Sequence, residues 1–417
     1  MNTISRPDGG AEPLDNSSGL AIGARPLRVL FVAVEPWKFP LRLARALAAN
    51  GCVTAAICPK GHPLRRTSCI SAVVALPALR SSEIIASSIC DWNPEIVVCC
   101  DDEAALLLNK ARSFASERVL GVIEKSQGPE ESFRIISSKS RFLQHAKSLG
   151  ILCPKELRLD EMQHGCDDST AAYVIKKDKG FGGSGVFIVR SQQERVEAEA
   201  SLGGPESAWR LVLRGVRRRS LWPVVKAFQN IDKSFTVQEF ISGQPANRAV
   251  FCSNGNVIGG LTVRVIEEKY PSGPGVIVEF ISHCEIESTV ERIVSSLRLS
   301  GLIGFDFMIQ AETKRAFLIE ANARATPISY LTDKTGFSLC SAVCSYFGQP
   351  LQKCRVIGSM ERVAFFPEGV ALAVGNPVYG DVHLDIPWEE PWMLFEDCAG
   401  FPMLQSMVLP RMCNERD

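Results

Sequence analysis

No C-x-x-C occurs in this 417-residue chain, although it carries 15 cysteines. Cys99 and Cys100 sit in an apolar run, and Cys340 and Cys344 stand one helical turn apart. Zinc-type ligand spacing is therefore absent. The thiols read as reduced and mostly buried, which points to the cytoplasm. Net charge is absent too: Lys plus Arg and Asp plus Glu both number 46, so no global basic field recruits nucleic acid or an anionic membrane. No uninterrupted apolar run reaches the ~18 residues of a membrane span. The opening MNTISRPDGGAEPLDNSSG has no apolar centre. It reads as a disordered tail over residues 1–24, not as a secretory signal. The five histidines are scattered, and no Ser/His/Asp or Cys/His set suggests a covalent nucleophile. A G-x-x-x-x-G-K-[ST] loop is missing, as is any internal repeat.

What is present is ordinary in bulk, 46% hydrophobic and 22% charged, over a length that accommodates two or three domains. LRVLFVAV from Leu27 has the nearly all-apolar pattern of a parallel strand covered on both faces. LRLARALAANG follows as an amphipathic helix stopped by Gly51, VTAAICP and EIVVCCDD as strands, and EAALLLNKARSFA as a helix. This alternation predicts a doubly wound α/β domain over 25–134. Asp101 and Asp102 fall at the carboxyl end of a strand, where such sheets bind ligands. Loop capping is the alternative role. Next comes a helix in SSKSRFLQHAKSLGILCP, capped by Ser137 or Ser138 and ended by Gly150. Further strands are FTVQEFI, a hairpin turning at Asn254–Gly255, and GVIVEFI. Arg214, Arg217, Arg218 and Arg219 form a basic cluster, read either as a solvated helix face or as a contact for a phosphate-bearing partner. The last ~65 residues read as Pro-rich and irregular, with DIPWEEPW as their most distinctive piece.

Two stretches carry chemistry. In YVIKKDKGFGGSGVFIV, glycines 180, 182 and 185 spell G-x-G-x-x-G. A dinucleotide fold requires a helix after the glycines, to receive the pyrophosphate. VFIVR is β-branched and aromatic instead, so the segment predicts strand–loop–strand. Backbone N–H groups of such a loop can close over phosphate oxygens, and Lys176 or Lys177 can add a charge. The second stretch is GFDFMIQAETKRAFLIEANAR. A turn centred near Glu312–Thr313 sets Asp306 opposite Glu320, with Asn322 on the same face. Phe305, Phe307, Phe317 and Ile319 are expected on the other face, in the core. Directly opposed like charges destabilise a sheet, and a cation between them removes the penalty. An all-oxygen Asp/Glu/Asn set suits Mg²⁺ bridged to phosphates.

With these residues in place, the chain resembles the ATP-grasp superfamily, in its carboxylate–amine ligase branch. KKDKGFGGSGV is similar to the family's glycine loop, VQEFISG to its adenine-receiving hinge, and EANAR to its metal-binding E-x-N-x-R. SKSRFLQHAKSLGILCP resembles its opening helix and KYPSGPGVIVEFI a further strand region. The likeness covers residues from about 135 to 345, and its five motifs occur in the family's order. It implies an α/β fold that becomes α+β in the ATP-binding part, with the N-terminal α/β domain followed by two α+β subdomains. The expected division is 25–134 as pre-ATP-grasp domain, 135–348 as ATP-grasp domain and 349–417 as C-terminal extension.

By resemblance, Lys139 and Lys176 would bind ATP phosphates, with Gly182, Gly183 and Ser184 covering them. Gln238, Glu239, Phe240 and Ile241 would frame adenine. Asp306, Glu320 and Asn322 would hold Mg²⁺, with Mn²⁺ as a substitute. Arg324 would face the γ-phosphate or an acyl-phosphate, with Arg264 as a second candidate. Pro245 stands where the family usually has an acid for the ribose, leaving Gln244 or Asn247 to replace it. The implied reaction phosphorylates a carboxylate with ATP, after which an amine displaces phosphate. Small-molecule acids and amines are the expected partners, without nucleic acid, and a homodimer is compatible with the reading. Two alternatives stand beside the ligase: a small-molecule kinase on the same fold, and a non-catalytic ATP-binding regulator.

Overall fold

A computed structural model describes residues 25–157, 172–177, 186–203, 235–349 and 361–414. The glycine loop with Gly182, Gly183 and Ser184, and the Arg214–Arg219 cluster, lie outside the described residues. The first sheet is all parallel, in the order β3-β2-β1-β4. Its strands are β1 (Arg28–Val32), β2 (Val53–Cys58), β3 (Ile70–Ala75) and β4 (Ile96–Cys99). β4 and all but one residue each of β1 and β2 are buried, as covering helices on both faces demand. The helix Phe39–Ala49 ends at Gly51, whose φ of +84° only glycine adopts freely. The doubly wound α/β expectation is met.

A second sheet of three antiparallel strands comprises β5 (Tyr173–Lys177), β6 (Val186–Val189) and β7 (Phe235–Glu239), with β5 central. A strand thus follows the glycine loop, as the run VFIV requires. Ile175, Val189, Val237 and Ala198 form a small core on one face. Lys176, paired with Thr236, belongs to the other.

The third sheet has seven strands, in the order β12-β11-β8-β9-β10-β13-β14. They are β8 (Gly243–Ser253), β9 (Asn256–Glu268), β10 (Gly275–Phe280), β11 (Gly301–Gln310), β12 (Ala316–Asn322), β13 (Arg362–Phe365) and β14 (Val382–Asp385). Asn254 and Gly255 turn the β8–β9 hairpin with φ of 46° and 83°, the conformation that makes Asn-Gly the favoured pair there. Two large cores each draw side chains from this sheet and from the parallel one. At Gly301 the φ is +94°, and a Cβ would sit 2.0 Å from the Ser126 carbonyl, so only glycine lets β11 approach the helix Glu117–Gln127 this closely.

The last ~65 residues are not irregular. β13 pairs antiparallel with β10, β14 pairs parallel with β13, and helices Glu368–Ala373, Pro391–Cys398 and Pro402–Asn414 pack over them. The segment DIPWEEPW docks on the N-terminal sheet's helix through opposite charges. Asp385 pairs with Arg42, Glu390 with Arg45, and Asp397 just beyond it with Lys38.

His62, in the loop at the carboxyl end of β2, is buried and bonded at both ring nitrogens. Its Nδ1 accepts from the Leu64 N–H at 3.1 Å, so Nε2 carries the proton toward the Glu35 carbonyl at 2.8 Å. Burial drives the pKa down from 6.5 to about 4, only partly offset by the Glu35 carbonyl. The unfolded chain takes up this proton first as pH falls. The contribution is full above pH ~6.5 and is lost progressively toward pH ~4, for about 3 kcal/mol in all. Urea unfolding at pH 7.0, 5.5 and 4.5 checks it: wild type should lose stability more steeply than His62→Gln.

Candidate functional site

The hairpin β11–β12 places Asp306 opposite Glu320 and Gly304 opposite Asn322, in the register expected from its turn. Between Asp306 and Phe307 the pairing slips, leaving Ile319 as an extra residue in β12. The bulge reverses the parity of the strand before it. Ala316 and Leu318, not Phe317 and Ile319, therefore join Phe305 and Phe307 in the core, while Phe317 and Ile319 stay half-buried. The carboxylates keep their common face.

Asp306 accepts from Asn247 on one oxygen and from Asn322 on the other, the latter at 3.0 Å. Lys139, in the first turn of the helix Lys139–Ser148, reaches Glu320 at 2.9 Å. Ser138 occupies that helix's cap position but makes no capping bond to its backbone. Lys139 and Glu320 keep 24% and 25% of their side chains exposed, so a ligand can reach the pair. Burial and the neighbouring Glu320 push the Asp306 carboxyl up to about 7, against the pull of the two asparagines. Burial alone would also raise Glu320, but Lys139 and Lys176 hold it below the usual range. Burial lowers Lys176, with Lys139 adding to the effect and the two acids opposing it.

Beyond β12, Arg324 donates from Nε to Asp102 at 3.0 Å, from Nη2 to Asn322 at 3.1 Å and from Nη1 to the Ala325 carbonyl at 3.2 Å. Its guanidinium lies 5.0 Å from the centre of the Trp37 ring. Burial would lower Arg324, but Asp102 outweighs it and the group stays firmly cationic. The two adjacent acids thus divide their roles. Asp101 caps the helix Asp102–Lys110 through Ala104 N–H at 2.8 Å and accepts from Val34 and Glu35 N–H groups, whereas Asp102 holds Arg324. Trp37 and Asn247 as contacts of these groups went unseen in the sequence. Strand parity was the available signal for Asn247, which pairs directly with Asp306.

Other residues fall elsewhere. Arg264 pairs with Ala246, which pairs with Phe307, so it lies on the Phe307 face of the sheet, opposite to Asp306, with its side chain partly exposed. There it shares Glu279 with Arg362. Gln244 donates to the Val265 carbonyl at 3.1 Å, and Asn247 is committed to Asp306. Gln238 is buried on the Lys176 face of the small sheet, and its Oε1 has no partner among the described residues. Glu239 accepts from the Lys155 N–H at 2.8 Å, and the Phe240 N–H donates to the Ala172 carbonyl at 3.2 Å. Ile241 is buried.

Among the described residues no group of three or more His, Cys, Asp or Glu side chains could hold a metal ion. Asp306 and Glu320 are a pair supplemented by the Asn322 amide. The donor set nevertheless fits a hard divalent cation, because two opposed carboxylates remain in which one is raised by its neighbour, and a cation relieves that repulsion.

No protein-family model matches the chain, and no curated protein sequence does. Solved structures do match. The biotin carboxylase domain of 2-oxoglutarate carboxylase from Hydrogenobacter thermophilus, a dimer with MgADP, ADP and bicarbonate, is 15% identical over 80% of this chain and 73% of its own, with a TM-score of 0.54. N5-carboxyaminoimidazole synthetase from Staphylococcus aureus with ADP is 10% identical over 79% of each chain, with a TM-score of 0.53. Biotin carboxylase from Campylobacter jejuni is 13% identical over 80% and 74%, with a TM-score of 0.51. The chain has the ATP-grasp fold.

Proposed function

We propose that this protein is an ATP-dependent ligase that activates a carboxylate and joins it to an amine. The observation that carries the reading is a single run of side chains. Lys139 and Lys176 flank the Asp306–Glu320 pair, and Asn322 links that pair to Arg324. Two lysines suit the phosphates of ATP. Asp306, Glu320 and Asn322 would hold Mg²⁺ or Mn²⁺, which when bound neutralises phosphate charge and orients the γ-phosphoryl group. Gln238 through Ile241 would frame adenine, and Gly182, Gly183 and Ser184 would cover the phosphates. Arg324, held by Asp102 and packed near Trp37, would orient the oxyanion that receives or carries the phosphoryl group. Arg264 has no part in this assignment because it lies on the other side of the sheet. A kinase on the same fold would use the Arg214–Arg219 cluster as its substrate patch, and that cluster lies outside the described residues.

In this reading the segment 135–348 carries nucleotide and metal, while 25–134 and 349–417 wall the acid and amine pocket. Asp385 joins the last segment to Arg42 of the first and Tyr330 of the middle one. No helix among the described residues is long and apolar enough to cross a membrane. A homodimer would follow the Hydrogenobacter domain, and light scattering measures it.

The test is ADP release from Mg·ATP with pooled carboxylic acids and amines. Release that needs both pools supports the ligase, and no binding of Mg·ATP by the wild type contradicts it. Lys176→Ala should weaken Mg·ATP binding by about 10- to 100-fold by calorimetry, the loss of one charge-assisted contact.

A further inference from the structure

Cys52 and Cys344 stand apart from the other described cysteines. Their sulfurs are 3.4 Å apart although 292 residues separate them. Cys52 follows the end of the helix Phe39–Ala49, where its N–H bonds to the Leu47 carbonyl at 3.1 Å. Cys344 lies in the helix Leu339–Tyr346, which is fixed at its start by a capping box at Ser338 and Ser341. Both ends of the contact are therefore held by ordered backbone. Cys52 keeps 7% of its surface and Cys344 none. No residue of the candidate site takes part, and the arrangement plays no role in the proposed reaction.

We propose that Cys52 and Cys344 are a disulfide-forming pair, oxidised by a small peroxide, that staples the N-terminal α/β domain to the helix over the central sheet. A disulfide needs an S–S distance of about 2.05 Å, so the sulfurs must close by roughly 1.4 Å, within the reach of side-chain rotation. The chemistry balances with one peroxide. A thiolate of the pair attacks a peroxide oxygen, the O–O bond breaks, and hydroxide leaves to become water with the thiol's proton. The second thiol then attacks the sulfenic sulfur. The S–O bond breaks, the S–S bond forms, and a second water leaves. Two thiols and hydrogen peroxide thus give one disulfide and two waters. The 3.4 Å contact favours the first step, since whichever thiol ionises is stabilised by the other's S–H. Water-sized peroxide suits a buried pair, whereas bulky disulfides do not. Cys340, one turn away and within 4.0 Å of the Ser329 carbonyl, is the competing partner.

The experiment treats the full chain with stoichiometric hydrogen peroxide, quenches with acid and alkylating agent, and maps peptides without reduction. The expected result is a crosslinked peptide pair containing Cys52 and Cys344, a mass loss of about 2 Da, and reversal by dithiothreitol. Oxidised wild type should melt about 5 °C above reduced wild type, because the bridge closes a long loop. Oxidised Cys52→Ser should show neither change. The map needs only wild type, so a poorly folding variant does not block the test. Free alkylated thiols at both positions after treatment, a crosslink to Cys340, or sulfinic acid without a crosslink would each overturn the proposal.

Discussion

Glu320→Gln should lower Mg·ATP-dependent phosphate release by about a thousandfold, roughly 4 kcal/mol of transition-state stabilisation. Glutamine keeps the shape of the side chain and removes its charge. Glu320 is the carboxylate that Lys139 and Lys176 hold ionised, so it supplies the dependable negative charge of the pair. Without it a bound cation would keep only Asp306 and the Asn322 amide, and both lysines would lose their counter-charge. The fold should survive, because the core face of the hairpin is built from Phe305, Phe307, Ala316 and Leu318. Thermal shift separates the two effects: Mg·ADP should raise the melting temperature of wild type and leave that of Glu320→Gln unmoved. Turnover within tenfold of wild type would remove Glu320 from the site.

Arg324→Lys should lower kcat by about 10²- to 10³-fold while changing the Kd for Mg·ATP by less than about threefold. The guanidinium serves Asp102, Asn322 and the Ala325 carbonyl from three nitrogens at once and sits near Trp37. A lysine ammonium cannot reproduce that planar fork. One of the buried contacts, most costly at Asp102, would go unpaired, for an expected stability loss of about 2 kcal/mol in urea unfolding. Arg264→Lys is the matched control. It lies across the sheet beside Glu279, so its turnover should stay within about twofold, as for a surface substitution. Equal losses in both variants would contradict the placement of Arg324.

Much of this arrangement was legible in the chain, for physical reasons that also mark where legibility stopped. The Asp306–Glu320 register follows from a local turn, and local turns are written in nearby residues. The bulge at Ile319 is not written there: GFDFMIQ and RAFLIEA pair plausibly without it, and only packing selects Ala316 and Leu318 for the core. Asp102 and Trp37 lie 222 and 287 residues before Arg324, so their contacts depend on how the parallel sheet seats against the central one. Asp101 and Asp102 look alike in sequence, yet one is a helix cap and the other an ion-pair partner. The C-terminal strands β13 and β14 are four residues each, flanked by prolines, and their pairing to β10 is non-local, so they read as irregular. Arg264 is the converse case: its residue type suited the role, but strand parity sets it on the face opposite Asp306.

The central claim is that a carboxylate oxygen passes to phosphate. Wild-type protein, Mg·ATP, pooled amines and carboxylic acids labelled with ¹⁸O in both carboxyl oxygens test it in one mass spectrum. Activation as an acyl-phosphate predicts inorganic phosphate carrying one ¹⁸O and product carrying the other. ADP formation with unlabelled phosphate, or label retained wholly in a phosphorylated acid that never needs the amine, would contradict the account.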